Sequence, residues 1–163
     1  MIESWVLWLL AYLAIPEVGL TSVFIICFIA ATLIPMASEP AVFAVVAADN
    51  SLFLAVLFVA TLGNTLGGII NYWIGYTAKE TFGKKHQTRW LKWFEKFGPK
   101  MMLIAWVPAL GSVVNTLGGW LKLPFWACVL YLALGKGVRY LVVICALLSV
   151  PGTFWHEVAR LLG

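Results

Sequence analysis

The chain has 163 residues, 63% of them hydrophobic and only 11% charged, and its mean hydropathy is +0.96. Soluble domains carry roughly 25% charged residues and, at this size, bury only about two-thirds of their surface, so lipid rather than water is the solvent that suits it. The net charge is +4, but seven of the eleven basic residues are gathered in one stretch, at Lys79, Lys84, Lys85, Arg89, Lys92, Lys96 and Lys100. That pattern points to a loop facing anionic lipid and away from a nucleic-acid surface.

In chain order, residues 1–17 open with an apolar run too short to span a bilayer, which needs about 20 residues; a short interfacial or packed helix is expected. No Lys or Arg precedes the run, and Pro16-Glu17 stands where a signal peptide would have a small-residue cleavage site, so the segment is expected to be retained. In the segment 18–50, residues 18–48 are apolar except for Pro35-Met36-Ala37-Ser38-Glu39-Pro40, and Asp49-Asn50 close it. Each proline removes a backbone donor and clashes with the preceding turn, so Pro35 and Pro40 are expected to break the segment into a re-entrant hairpin.

Residues 52–77 form the first full span, reaching roughly 39 Å as a helix. Within it Gly63, Gly67, Asn71 and Gly75 recur every fourth residue. The seam lets a second helix approach closely, within the chain or on a homo-oligomeric or other membrane partner. Residues 78–100 are the basic loop, expected in the cytoplasm. In residues 86–97, Trp90, Trp93, Phe94 and Phe97 lie opposite Arg89, Lys92 and Lys96, the pattern of an amphipathic helix in the headgroup plane.

A second hairpin is expected over residues 101–123, broken at Pro108 and loosened by Gly111, Gly118 and Gly119. Residues 124–150 form the second span, and residues 151–163 follow Pro151-Gly152 as a short terminal helix. The stretch ending at Pro35 resembles the one ending at Pro108, and each break precedes a long apolar segment. Because residues 1–78 hold no Lys or Arg, the positive-inside rule sends the first hairpin in from outside and the second from inside. The expected fold class is all-α integral membrane: an inverted repeat of two re-entrant hairpins, each followed by a span, plus the interfacial helix.

Three ionisable residues fall where lipid-exposed charge costs about 2.5–3.5 kcal/mol each on insertion scales: Glu39 at the first hairpin tip, and Lys136 and Arg139 along the second span. Lys136 and Arg139 are three apart and share a helix face, and Asn64 is the first span's counterpart of Lys136. Two readings stay open. Glu39 pairs with Lys136 or Arg139 to brace hairpin against span, or the group binds an anion in a midplane cavity, with Glu39 carrying a proton.

No catalytic constellation is present: no GxSxG, HExxH, Ser/His/Asp set or P-loop. Neither His86 nor His156 is placed for chemistry, and no enzyme activity is expected. Cys27, Cys128 and Cys145 sit singly in apolar runs and read as small core residues, and no metal or other cofactor is expected.

The broken hairpin with Ser38-Glu39-Pro40, the stretch LGNTLGGIINYWIGY (62–76), WVPALGSVVNTLGGWLKLPF (106–125) and LGKGVRY (134–140) together resemble the DedA (VTT-domain) family, and within it the short YqaA-like branch, over roughly residues 24–150. The resemblance implies opposed re-entrant hairpins, a multi-pass bacterial inner-membrane location, and movement of phospholipids or polyprenyl-phosphate carriers across the bilayer, coupled to protons. Membrane lipids are then the partners, and Glu39, Asn64, Lys136 and Arg139 the substrate-binding candidates. The family's acidic residue carries over to Glu39. Its arginines flanking the second-hairpin proline do not: Ala105 or Trp106 and Gly111 stand there, leaving Lys136 and Arg139 to supply positive charge. The competing expectation is a non-transporting accessory subunit that docks through the glycine seam on a larger complex.

Overall fold

The computed structural model of the chain describes residues 16–32, 38–82, 94, 96–107 and 110–149. Among these every regular element is helical: α1 (Pro16–Thr32), α2 (Glu39–Ala48), a 3-10 turn (Asn50–Leu52), α3 (Phe53–Phe82), a 3-10 segment (Gly98–Trp106), α4 (Leu110–Trp120) and α5 (Phe125–Leu148). Among the described residues two helices are long and apolar enough to cross a membrane, over Asn50–Lys79 and Phe125–Ala146. Pro35, Pro108, most of the expected interfacial helix and both expected terminal helices lie outside the described residues.

Local chemistry explains the boundaries. Pro16 opens α1 and Pro40 falls in the first turn of α2, where a missing N–H costs nothing; Pro40 divides the chain by starting a helix. α2 ends at Asp49, whose N–H bonds Val45 O at 3.1 Å. Asp49 Oδ1 then accepts from Ser51 N at 2.8 Å and so caps the turn into α3. Hydrogen bonding from Ser51, by its side chain and backbone, holds the Asp49 carboxyl below the usual carboxylate range. α4 closes in a Schellman pattern, with Leu123 N on Gly118 O at 3.1 Å and Lys122 N on Gly119 O at 2.8 Å. Lys122 takes the left-handed conformation there (φ 53°), with its ammonium 4.5 Å from the Tyr76 ring centroid.

Two boundaries differ from the sequence reading. α3 runs on to Phe82, past the expected end at residue 77, because Ala78-Lys79-Glu80 are strong helix formers and Lys79 in the last turn suits the helix dipole. The first arm of the second pair is a 3-10 segment of 9 residues that starts at Gly98. Three residues per turn line Met102 up with Ala105, and both are buried in a core shared with α4 and α5.

The core has two lobes. One joins Val23 and Cys27 of α1, Val42, Val45 and Val46 of α2, Val56 and Ala60 of α3, and Tyr140 and Ile144 of α5. The other joins Tyr72 of α3, Phe94, Met101, Met102 and Ala105, Val114 of α4, and Cys128 and Leu132 of α5. The start of α3 therefore packs beside the end of α5 and the reverse, so the two long helices run antiparallel. Outward lie large apolar side chains, among them Leu54, Phe58, Trp73, Trp126, Leu130, Val138 and Val142. In water so much exposed apolar surface would drive association; in hydrocarbon it is the natural exterior. Cys145 is also exposed, so it is not the core residue that its apolar run suggests.

The seam glycines are used inside the chain. A Cβ on Gly63 would stand 2.7 Å from Phe24 O, and one on Gly67 2.6 Å from Phe28 O. Asn71 Nδ2 donates to Ala31 O at 2.7 Å. Gly75 turns elsewhere: its Cβ would meet Thr116 O of α4 at 1.9 Å. Successive fourth residues rotate about 40° around a helix, so by Gly75 the seam has swung roughly 120° from α1 to α4. The surface read as a docking face for a partner is thus covered by the chain's own helices. Gly118 and Gly119 likewise do not loosen α4. A Cβ on Gly118 would overlap Met102 Cε (2.0 Å), and one on Gly119 Tyr72 O (1.8 Å).

Candidate functional site

The site lies where the two lobes meet. Lys136 stands about 16 Å from either end of the Phe125–Ala146 stretch at helical rise, and it is 5% exposed. Arg139 follows one turn later, with its side chain 12% exposed, and its guanidinium bonds Glu39 Oε1. Glu39 occupies the first turn of α2, where the helix dipole favours a negative charge. Its second oxygen, Oε2, is buried with no hydrogen-bond partner among the described residues.

Lys136 does not pair with Glu39 among the described residues. Its ammonium points toward the start of α4: a Cβ added to Gly111 would stand 3.3 Å from Lys136 Nζ and 2.9 Å from Ala105 O. Gly111 thus leaves the room in which the ammonium lies.

Asn64 enters through a neighbour that the sequence reading missed. Tyr140, fully buried, receives Asn64 Nδ2 on its hydroxyl at 2.6 Å, lies 2.8 Å from Ser38 Oγ, and reaches Cys27 Sγ at 3.3 Å. A phenol has one proton; when Tyr140 donates to Cys27, Ser38 donates to Tyr140. This engagement explains why Ser38, the N-cap of α2, makes no side-chain cap bond of its own. Asn64 Oδ1 and Thr65 Oγ1 are buried without partners among the described residues.

Glu39 and Arg139 are thus in contact, Lys136 lies one turn back on the same helix against Gly111, and Asn64 joins through Tyr140 and Ser38. Formally the ionisable trio carries +1. Tyr140 lies within the quoted LGKGVRY stretch, but a lone Tyr in an apolar run looks like any core aromatic. A sharper signal was the recurrence of Asn-Thr-Leu-Gly-Gly at 64–68 and 115–119, since Asn115 is also buried, with its Oδ1 unpaired among the described residues.

Beside Arg139 a cavity of about 390 Å³ opens between the 3-10 segment and α5, lined by Leu103, Trp106, Leu134, Val138, Val142 and Arg139 among others. Apart from Arg139 its named walls are apolar, and the cavity is open to the surroundings.

Relatives agree with the membrane reading. Over 141 residues the chain is 31% identical to inner membrane protein YqaA of Escherichia coli (strain K12), covering 84% of this chain and 95% of that protein. The inner membrane protein YqaA of Shigella flexneri matches to the same extent. An uncharacterized protein of Haemophilus influenzae is 34% identical over 142 residues, covering 82% of this chain and 88% of its own. No family model and no solved structure matches the chain. With relatives of this identity over most of both chains, and with two apolar helices able to cross a bilayer, the chain is an inner-membrane protein of the DedA family, in its YqaA-like branch.

Proposed function

We propose that this protein moves a lipid with an anionic head group, a phospholipid or a polyprenyl-phosphate carrier, across the inner membrane without making or breaking a bond in it. The observation that carries this reading is the uneven charge at mid-span: Lys136 and Arg139 against the single carboxylate of Glu39, in which Lys136 makes no ion pair with Glu39. A cation with no countercharge of its own among the described residues is costly at that depth, and a passing phosphate offsets the cost. Glu39 serves as the proton carrier, protonated when the substrate takes its place on Arg139.

The chain is multi-pass in this reading, with the basic stretch in the cytoplasm. The pairs α1–α2 and 3-10 segment–α4 are re-entrant hairpins entering from opposite faces. Equivalent close approaches support this: Gly63 of α3 receives the backbone of α1 at Phe24, and Gly135 of α5 receives the 3-10 segment at Leu103 O, 3.2 Å from a Gly135 Cβ. The accessory-subunit alternative loses ground because α1 and α4 fill the seam it needs.

The test is leaflet exchange in vesicles containing the purified protein, with head-group-reporting phosphatidylglycerol and phosphatidylcholine probes. Faster exchange of the anionic probe supports the reading. Exchange at the protein-free rate for both overturns it.

A further inference from the structure

We propose that Trp73, Tyr76, Phe125 and Trp126, with Lys79 and Lys122 beyond them, form an interfacial anchor. This surface binds the head-group layer of an anionic leaflet and fixes how deep α3 and α5 sit. The anchor needs only the inner-membrane location and not the translocation reading.

The rings make one connected patch. The Trp73 ring centroid lies 5.4 Å from that of Tyr76 and 5.8 Å from that of Phe125, and Phe125 lies 5.3 Å from Trp126. Buried Tyr72 fastens the patch from within: its hydroxyl donates to Leu123 O at 2.7 Å and ties α3 to the turn before α5. Trp73 and Trp126 are exposed on the outside. A ring with an apolar body and a polar N–H is most stable where hydrocarbon meets water, and Trp and Tyr gather at that boundary.

Position decides what the patch faces. Among the described residues, every exposed large apolar side chain of α3 from Leu54 to Ile70 is aliphatic or Phe, and every one of α5 from Leu130 to Leu148 is aliphatic. At helical rise Leu54 lies about 29 Å from Trp73, and Leu148 about 33 Å from Trp126. The hydrocarbon core of a bilayer is about 30 Å thick. Two helices of opposite direction thus measure out one hydrocarbon thickness from the same aromatic end. On the other side of the rings come cations. Lys79 lies about 9 Å beyond Trp73 along α3, and exposed Lys122 holds its ammonium 4.5 Å from the Tyr76 ring centroid. Aliphatic, aromatic, then basic is the order of layers met on leaving a bilayer through an anionic leaflet. With the boundary at Trp126, Lys136 lies about 15 Å deep, at the middle of the hydrocarbon.

The experiment uses the full chain, labelled with fluorotryptophan, in nanodiscs of phosphatidylethanolamine and phosphatidylglycerol. The fluorine resonances of Trp73, Trp106 and Trp126 are assigned by their loss in the three Trp→Phe variants. Nitroxide-labelled lipid then relaxes whichever ring it approaches. A shallow nitroxide, near the carboxyl end of the acyl chain, should relax Trp73 and Trp126 several-fold more than a deep one near the methyl end. Trp106 is the contrast: it lines a cavity with Leu134 and Val138, about 12 and 18 Å from Trp126 along α5, so there the order reverses. Carried on phosphatidylglycerol, the shallow nitroxide should act several-fold more strongly on Trp126 than when carried on phosphatidylcholine. Lys79→Gln/Lys122→Gln should remove that preference. The anchor is overturned if the deep nitroxide acts more strongly on Trp73 or Trp126, or if Trp106 shows the same order as they do. It is equally overturned if the two head groups act alike on the unsubstituted chain, or if their difference survives both lysine substitutions.

Discussion

Arg139 on α5 bonds the carboxylate of Glu39 at the start of α2, 100 positions earlier in the chain. The contact ties α5 to the start of α2. Removing one partner leaves the other charged and largely buried, a loss of about 3–5 kcal/mol for a buried pair, lowered here because Glu39 is 20% exposed. Glu39→Gln and Arg139→Gln should each lower the thermal midpoint in detergent, whereas the double variant recovers most of the loss. Additive losses would show that the two do not act as a pair.

The Tyr140 hydroxyl serves three neighbours. Tyr140→Phe keeps the ring in its core but leaves Asn64 Nδ2 without its acceptor and Ser38 without its partner. A buried donor stripped of its partner costs about 1–3 kcal/mol. The variant should unfold earlier by that amount, and Asn64→Ala in the Tyr140→Phe background should add little, because their shared bond is already lost. A full additional loss from Asn64→Ala would contradict the shared bond.

The crossing of α3 and α4 depends on two glycines facing each other's backbone. Gly75→Ala and Gly119→Ala each place a methyl within 2 Å of a backbone oxygen, Thr116 O and Tyr72 O. Overpacking costs typically about 1–3 kcal/mol, and more where backbone cannot yield. Gly137 is the control, since its Cβ would meet only Thr61 side-chain atoms at 3.7 Å. Gly137→Ala should hold or raise stability by about 0.5–1 kcal/mol, since Ala favours helix interiors. Detergent melting curves of the three variants decide it; equal behaviour would remove the close crossing from the account.

Much of this fold was legible because two properties act over many residues at once. Long apolar segments found α3 and α5, and charge scarcity made Glu39, Lys136 and Arg139 stand out. The remainder depends on distance in space. Nothing local says that Gly75 faces α4 while Gly63 faces α1; that follows from helix rotation and from where α4 happens to lie. Gly118 and Gly119 read as loosening because glycine weakens an isolated helix, yet here missing side chains let backbones meet. The 3-10 geometry of Gly98–Trp106 is set by packing of Met102 and Ala105, which propensity does not report. Tyr140 was hidden because its three partners lie 76 to 113 positions away.

The central claim is that the mid-span charges handle a lipid phosphate and do more than brace the fold. The double variant Glu39→Gln/Arg139→Gln separates the two, because pairwise removal keeps the fold while erasing the phosphate's partner. The decisive measurement is leaflet exchange of labelled phosphatidylglycerol in vesicles holding this variant, with folding verified by its melting curve. The account predicts exchange falling to the protein-free rate in a folded protein. Exchange at the wild-type rate would contradict it and leave Glu39 and Arg139 as a structural brace.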